Sequence, residues 1–262
     1  MIVKKLKKKF PKIFVWDYLE NYSKNRQKII KIVDKVFKSG NLILSKEVAN
    51  FEKKFSNFTN RSYGVGVNSG TDALLIALLS IGIEKDDEVI TVSNTAVPTV
   101  SAIVSCQAKP IYVDINESDY LINPNLIENK ITKKTKAIIP LNLYGQSANY
   151  DLINKIAKKH NISEIEDCAQ SAGAFYKNKP SGSFGNLAAF SFYPTKNLGG
   201  FGDGGMVLTN SNKLYQKCIK LRKYGMSKLY YSDFHGINSR LDEIHAAILT
   251  FQLKKLRSNI IK

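Results

Sequence analysis

The sequence predicts an α/β fold built on a mostly parallel seven-stranded sheet flanked by helices. Three observations carry this: seven short apolar runs, helical-period stretches between the earlier runs, and a 44% hydrophobic content over 262 residues. That length and composition suffice for one substantial core.

The chain opens with two helical patterns. Ile29, Ile32, Val33, Val36 and Phe37 recur at helical spacing and Gly40 follows as a stop, which predicts an amphipathic helix over residues 21–39. Val48, Phe51 and Phe55 mark a second helix. The pattern then changes. Strands are predicted at YGVGV (63–67), EVITV (88–92), PIYVDI (110–115), AIIPL (137–141), EIEDC (164–168), LAAFSF (187–192) and MVLTN (206–210). Helices are predicted between the earlier ones at 71–79, 98–105 and 150–160. Strands alternating with helices imply βαβ units and a buried parallel sheet. The last two strands are too close together for a helical crossover, so one of them is expected to run antiparallel. Helices at 213–222 and 241–256 close the chain.

Charge and cysteine usage narrow the function classes. The formal charge is +17, yet the lysines are spread along the whole length and arginine, the better reader of bases and phosphates, is scarce. No nucleic-acid recognition motif is present, so a solvated basic surface is the favoured reading, with attraction of anionic small molecules as the alternative. Cys106, Cys168 and Cys218 are odd in number and lack metal-ligand spacing, which points to neither a disulfide framework nor a metal site. The basic start MIVKKLKKKF precedes only the short apolar run IFVW, too short for a signal-peptide core or a membrane span. A soluble, cytoplasmic protein is expected.

Three stretches carry chemistry. Gly200-Phe201-Gly202-Asp203-Gly204-Gly205 satisfies the string G-x-G-x-x-G, but a dinucleotide fingerprint needs a strand before it and a helix after it. Here a strand follows, so these glycines are expected instead to let the backbone approach a ligand or neighbouring chain closely. In VNSGTDALLIALL, residues 67–79, a strand ends and a helix begins near Thr71, where exposed N–H groups and the helix dipole favour an anion. In EIEDCAQSAGA, residues 164–174, a strand delivers Asp167 at its C-terminal end, facing the crevice where open α/β sheets bind ligands. Taken alone, each has a bland reading as a turn or helix cap. Together with Lys196 they are the parts needed to hold pyridoxal 5′-phosphate: an amine for the aldehyde, an acid for the ring nitrogen and N–H groups for the phosphate.

With NSGTDAL, DEVIT, PIYVDI, KAIIPLNLYGQ, IEDCAQ, GSFGNLAAFSFYPTKNLGGFGDGGMV, RKYGM and NSRLDEIHAAIL in order, the chain resembles the DegT/DnrJ/StrS nucleotide-sugar aminotransferases, fold-type-I pyridoxal phosphate enzymes. The resemblance implies that residues 1–262 form the large cofactor-binding domain with an N-terminal helical segment. It also implies that Lys196 is the Schiff-base lysine and general acid/base, and that Asp167 pairs with the pyridine nitrogen. Gln170 is expected at the ring's 3-hydroxyl, Gly70, Thr71 and Ser191 at the phosphate, and Asn238 at the phosphate of a neighbouring subunit in a homodimer. The reaction it implies moves an amino group from glutamate to a nucleotide-linked keto-deoxysugar, with SNTAVPT favouring a 3-keto-6-deoxyhexose on dTDP.

Two departures stand out. Ala96 occupies the place where the family usually stacks an aromatic on the ring, and Asn142 stands where a histidine is common. The related sugar 3-dehydratases carry histidine at the lysine position, so Lys196 argues against that reaction. Family members continue into a smaller C-terminal domain, which this sequence is expected to lack for the most part. Leu249, Leu253 and Leu256 are then expected to be exposed as an apolar patch, and a non-catalytic or weakly active cofactor-binding remnant is the alternative reading.

Overall fold

The computed structural model describes residues 18–261; the basic start and the IFVW run lie outside them. Two helices lead, α1 (Tyr18–Lys38) and α2 (Lys46–Phe58). The α/β body follows as β1 (Tyr63–Val67), α3 (Gly70–Ile81), β2 (Glu88–Val92), α4 (Val97–Ser105), β3 (Lys109–Val113), β4 (Thr135–Ile138), α5 (Tyr150–His160) and β5 (Ser163–Asp167). After a small hairpin of β6 (Phe175–Tyr176) and β7 (Lys179–Pro180) come β8 (Leu187–Ser191), β9 (Gly205–Thr209) and α6 (Asn212–Leu221). A second hairpin, β10 (Met226–Lys228) with β11 (Tyr231–Ser232), leads to α7 (Glu243–Ile260).

The main sheet has seven strands in the order β1-β9-β8-β5-β4-β2-β3. β2, β3, β4, β5 and β8 pair in parallel, whereas β9 is antiparallel to both β8 and β1. β9 is therefore the reversed strand that the short 192–204 connection required. The central strands are buried on both faces: β8 and β9 read as near-continuous apolar runs, whereas β5 buries the carboxylates Glu164, Glu166 and Asp167 beside Ile165.

One face of the sheet is covered by α3, whose Ala73, Leu74, Ile76, Ala77 and Leu78 are buried between the sheet, α4 and α6. A helix apolar nearly all round belongs in such a position. It ends at Gly82, which adopts the left-handed conformation (φ +84°) that a non-glycine residue enters only with strain.

On the other face α2 and α7 pack together over Phe190 and Phe192 of the sheet, with Val48, Phe51, Phe55, Leu249 and Leu256 in one apolar cluster. This corrects the expectation of an exposed apolar patch. Leu249 and Leu256 are 1% and 2% exposed, and Leu253 packs against the same cluster. The two leading helices are the partners that α7 needs: α2 covers its apolar side, and α1 lies alongside it with Asn25 Oδ1 accepting from Lys255 Nζ at 2.6 Å. Glu243 adds a polar clamp. Its carboxylate accepts from the N–H groups of Ser45, Glu47 and Val48 at 2.7, 2.7 and 3.0 Å, capping α2 from a residue far away in sequence.

Candidate functional site

The C-terminal ends of β1, β5 and β8 meet the first turns of α3 and α4. After Val67 the chain turns through Asn68 and Ser69, and the Ser69 hydroxyl caps α3 by accepting from the N–H of Asp72 at 3.1 Å. Ser239, fully buried in the segment before α7, fastens this turn from outside. Its hydroxyl donates to Asp72 Oδ2 at 2.7 Å and accepts from the N–H of Asn68 at 3.0 Å. Gly70 lies so close to β8 that a Cβ there would fall 2.6 Å from Ser191 Cβ. Only glycine lets the helix start and the Ser191 hydroxyl share one small space.

Asp167 ends β5 and is 2% exposed. Its Oδ2 accepts from Thr99 Oγ1 at 2.8 Å and its Oδ1 from the N–H of Ala169 at 3.1 Å. Burial pushes its carboxyl above the usual range, while the Thr99 and Ala169 bonds and the positive charge of Lys196 pull the other way. Lys196 lies on the connection from β8 to β9, half-buried, with its N–H donating to the carbonyl of Tyr193 at 2.9 Å. Gly199 makes that coil possible, since a Cβ there would fall 2.3 Å from the carbonyl oxygen of Pro194.

Six of the seven residues expected from the sequence, Gly70, Thr71, Asp167, Gln170, Ser191 and Lys196, line a single cleft of about 210 Å³. Gln170 sits at its rim, its Oε1 accepting from the N–H of Tyr144 at 3.3 Å. Asn238 does not line this cleft; it is exposed, in a bridge with Lys223. Sequence reasoning missed Thr99 and Ser239. For Thr99 the available signal was a polar residue at i, with Ala102 and Ile103 at i+3 and i+4, on the buried side of a helix.

Ala96 caps α4 in an extended conformation and borders the cleft. Asn142 turns away from it. Fully buried, it donates to Ser181 Oγ at 3.0 Å and accepts from the N–H of Ala148 and the hydroxyl of Tyr150, both at 2.9 Å, so it fastens the connection after β4. The glycine run 200–205 serves packing within the chain. A Cβ at Gly202 would meet the His245 ring at 2.7 Å, and one at Gly205 would meet the Ser69 carbonyl oxygen at 2.2 Å. Within the chain, these close approaches are made to α7 and to the turn that starts α3.

Residues 23–262 match the DegT/DnrJ/EryC1/StrS aminotransferase family. The chain belongs to this family. Over 244 residues it is 45% identical to the dTDP-3-amino-3,4,6-trideoxy-alpha-D-glucose transaminase of Micromonospora megalomicea subsp. nigra, covering 93% of this chain and 65% of that protein. It therefore spans somewhat less than two thirds of that relative's length. Among solved structures it is similar to S. venezuelae DesV in complex with a ketimine intermediate, with a TM-score of 0.92 at 39% identity over 95% of this chain and 67% of DesV. It is also similar to NtdA from Bacillus subtilis with bound cofactor PMP, with a TM-score of 0.85 at 32% identity over 89% of this chain and 53% of NtdA. This member of the DegT/DnrJ/EryC1/StrS family has lysine at 196, alanine at 96 and asparagine at 142.

Proposed function

We propose that the cleft holds pyridoxal 5′-phosphate, and that the protein transfers an amino group from glutamate to the keto carbon of a nucleotide-linked deoxysugar, a 3-keto-6-deoxyhexose on dTDP. The observation that carries this reading is the gathering of Lys196, Asp167, Ser191 and the start of α3 around one cleft. The named activity of the Micromonospora relative and the PMP bound to NtdA support it.

The residues present fit the cofactor. Asp167 is a buried carboxylate with its charge disfavoured by burial, a condition that a cation beside it relieves. The first N–H groups of α3 have no partner within their own helix and suit a phosphate. When bound, the cofactor supplies an aldehyde for the amino group and a ring that withdraws electrons from the carbon that gains or loses a proton.

The chain's own groups do the rest. Lys196 Nζ would supply the amine for the aldehyde and would hold and move the proton at the reacting carbon. Asp167, ionised, would pair with the ring nitrogen and favour a proton there, and Gln170 would take the ring's 3-hydroxyl. Gly70 and Thr71 offer N–H groups and Ser191 a hydroxyl to the phosphate. Asn238, outside its own cleft, serves the phosphate of a second subunit, which makes the working unit a homodimer. On this reading residues 1–262 are the large cofactor-binding domain, and the net charge of +17 draws in the anionic nucleotide sugar. A cytoplasmic setting accords with three buried, unbridged thiols at Cys106, Cys168 and Cys218.

Supplying the protein with glutamate and a panel of 3-keto and 4-keto nucleotide sugars, and reading products by mass, tests the substrate. An amino sugar formed from the dTDP-3-keto substrate is expected. Amination of only the 4-keto sugars overturns that assignment.

A further inference from the structure

Thr99 lies on the buried side of α4 and is 1% exposed. A hydroxyl in such a place needs partners, and it has two. Its Oγ1 is 2.8 Å from Asp167 Oδ2 and 2.7 Å from Thr95 Oγ1. Each threonine has one hydroxyl proton, and Asp167, when ionised, can only accept. The Thr99 proton therefore goes to Asp167, and the Thr95 proton must go to Thr99, leaving the 3.3 Å contact from Thr95 Oγ1 to the Ala96 carbonyl as a secondary one. A two-hydroxyl chain thus runs from the cleft rim, where Thr95 borders the pocket, to the buried acid.

The other bond to the carboxylate comes from Ala169, two residues along in the same turn. Thr99 is the grip that comes from a separate element. The charged group acting on Asp167 is Lys196, on the connection after β8, and Asp203 of the glycine run lines the same cleft. Glu166, its neighbour on β5, turns instead to Arg61 at 3.2 Å and to the N–H groups of Gly182, Phe184 and Gly185.

We infer that Thr99 is a positioning residue for Asp167: its hydroxyl, oriented by Thr95, fixes the rotation of the carboxylate so that its remaining lone pairs face the cleft and a cation bound there. The cofactor reading supplies only the identity of that cation, the protonated ring nitrogen. Thr99 also offsets part of the burial that disfavours the charge on Asp167, so removing its hydroxyl has a consequence that shows without any cofactor.

The test uses the 262-residue chain labelled with ¹³C at aspartate carboxyls, with the Asp167 resonance assigned by its loss in Asp167→Asn. Its titration midpoint is measured before cofactor is added, and pyridoxal phosphate binding is then measured by absorbance. Thr99→Val should move the midpoint upward and weaken cofactor binding about tenfold, the size of one hydrogen bond to a charged group. Thr99→Ser should keep both near wild type, and Thr95→Val should shift the midpoint the same way as Thr99→Val by less. An unchanged midpoint in Thr99→Val or in Thr95→Val overturns the inference, as does Thr99→Ser behaving like Thr99→Val. If Thr99→Val does not fold, the other two variants decide: a midpoint that moves upward in Thr99→Ser, or one that stays put in Thr95→Val, overturns it. Shifted midpoints in a chain that binds no pyridoxal phosphate would sink the cofactor reading and leave the hydroxyl chain standing; cofactor binding with unmoved midpoints would do the reverse.

Discussion

Gly205→Ala tests how the strand reversal and the helix start are built as one unit. Gly205 opens β9 and sits between Val67 of β1 and Ser191 of β8. An added Cβ would fall 2.2 Å from the Ser69 carbonyl oxygen, 2.5 Å from its carbon and 2.9 Å from the Gly70 nitrogen. All three neighbours are backbone, so no rotamer change relieves the clash, and the Ser69 oxygen must retreat to at least 3.0 Å. That oxygen also accepts from the N–H of Ala73 at 3.0 Å, the first bond of α3. Overpacking of this kind costs about 1–3 kcal/mol, and a wholly backbone contact belongs at the upper end, about 3 kcal/mol. For a chain of this size that lowers Tm by about 6–12 °C. Displacing the N–H groups of Gly70 and Thr71 should also weaken pyridoxal phosphate binding about tenfold, since a bond to a charged group is worth about 1.5–3 kcal/mol. Gly200→Ala is the control within the same glycine run, because its nearest neighbours would lie at 3.5 Å or more. Thermal denaturation with absorbance titration reads both variants. A Gly205→Ala protein that melts within about 2 °C of wild type and binds cofactor as well, or a Gly200→Ala protein that loses as much, refutes the reasoning.

Asp167→Asn should keep some cofactor but lose most turnover, because a neutral amide no longer favours a proton on the ring nitrogen; undiminished turnover would show that another group holds it. Ala96→Tyr should tighten cofactor binding about two- to tenfold, the worth of one aromatic contact, whereas equal or weaker affinity would mean that the space is already filled. Glu164 is 6% exposed, and burial, followed by the charge of Glu166, pushes its carboxyl up to about 8. A raised carboxyl contributes stability that is present in full below its ordinary value of 4.5 and is lost as pH climbs through about 8. Glu164→Gln should therefore gain on wild type by up to about 1.4 kcal/mol per pH unit across that window. Denaturant unfolding at pH 5, 7 and 9 checks this, and a difference that stays constant with pH would contradict it.

The parallel sheet was legible because strands buried on both faces tend to be short, mostly apolar runs, as YGVGV, EVITV and LAAFSF are. The hairpins β6–β7 and β10–β11 were not, since strands of two or three residues leave no periodicity to read. Asp167 and the start of α3 at Thr71 were legible because they lie at a strand end and a helix start, where local pattern and chemistry coincide, and Lys196 because it follows them on a glycine-rich connection. Gly70, Gln170 and Ser191 came only with the family resemblance. Thr99 and Ser239 escaped because their roles depend on partners 68 and 167 residues away. The same blindness to distant pairing misplaced Leu249 and Leu256: their apolar spacing was plain, but nothing local said that α2 would cover them.

The reading of the cleft depends on Lys196 being the residue that bonds the cofactor. Adding pyridoxal phosphate to the purified chain, reducing with borohydride and mapping the modified peptide tests it directly. The account predicts a visible absorption band before reduction and a single modified peptide carrying the label on Lys196, with neither in Lys196→Ala. A label on any other lysine, or a band that persists in Lys196→Ala, would contradict it.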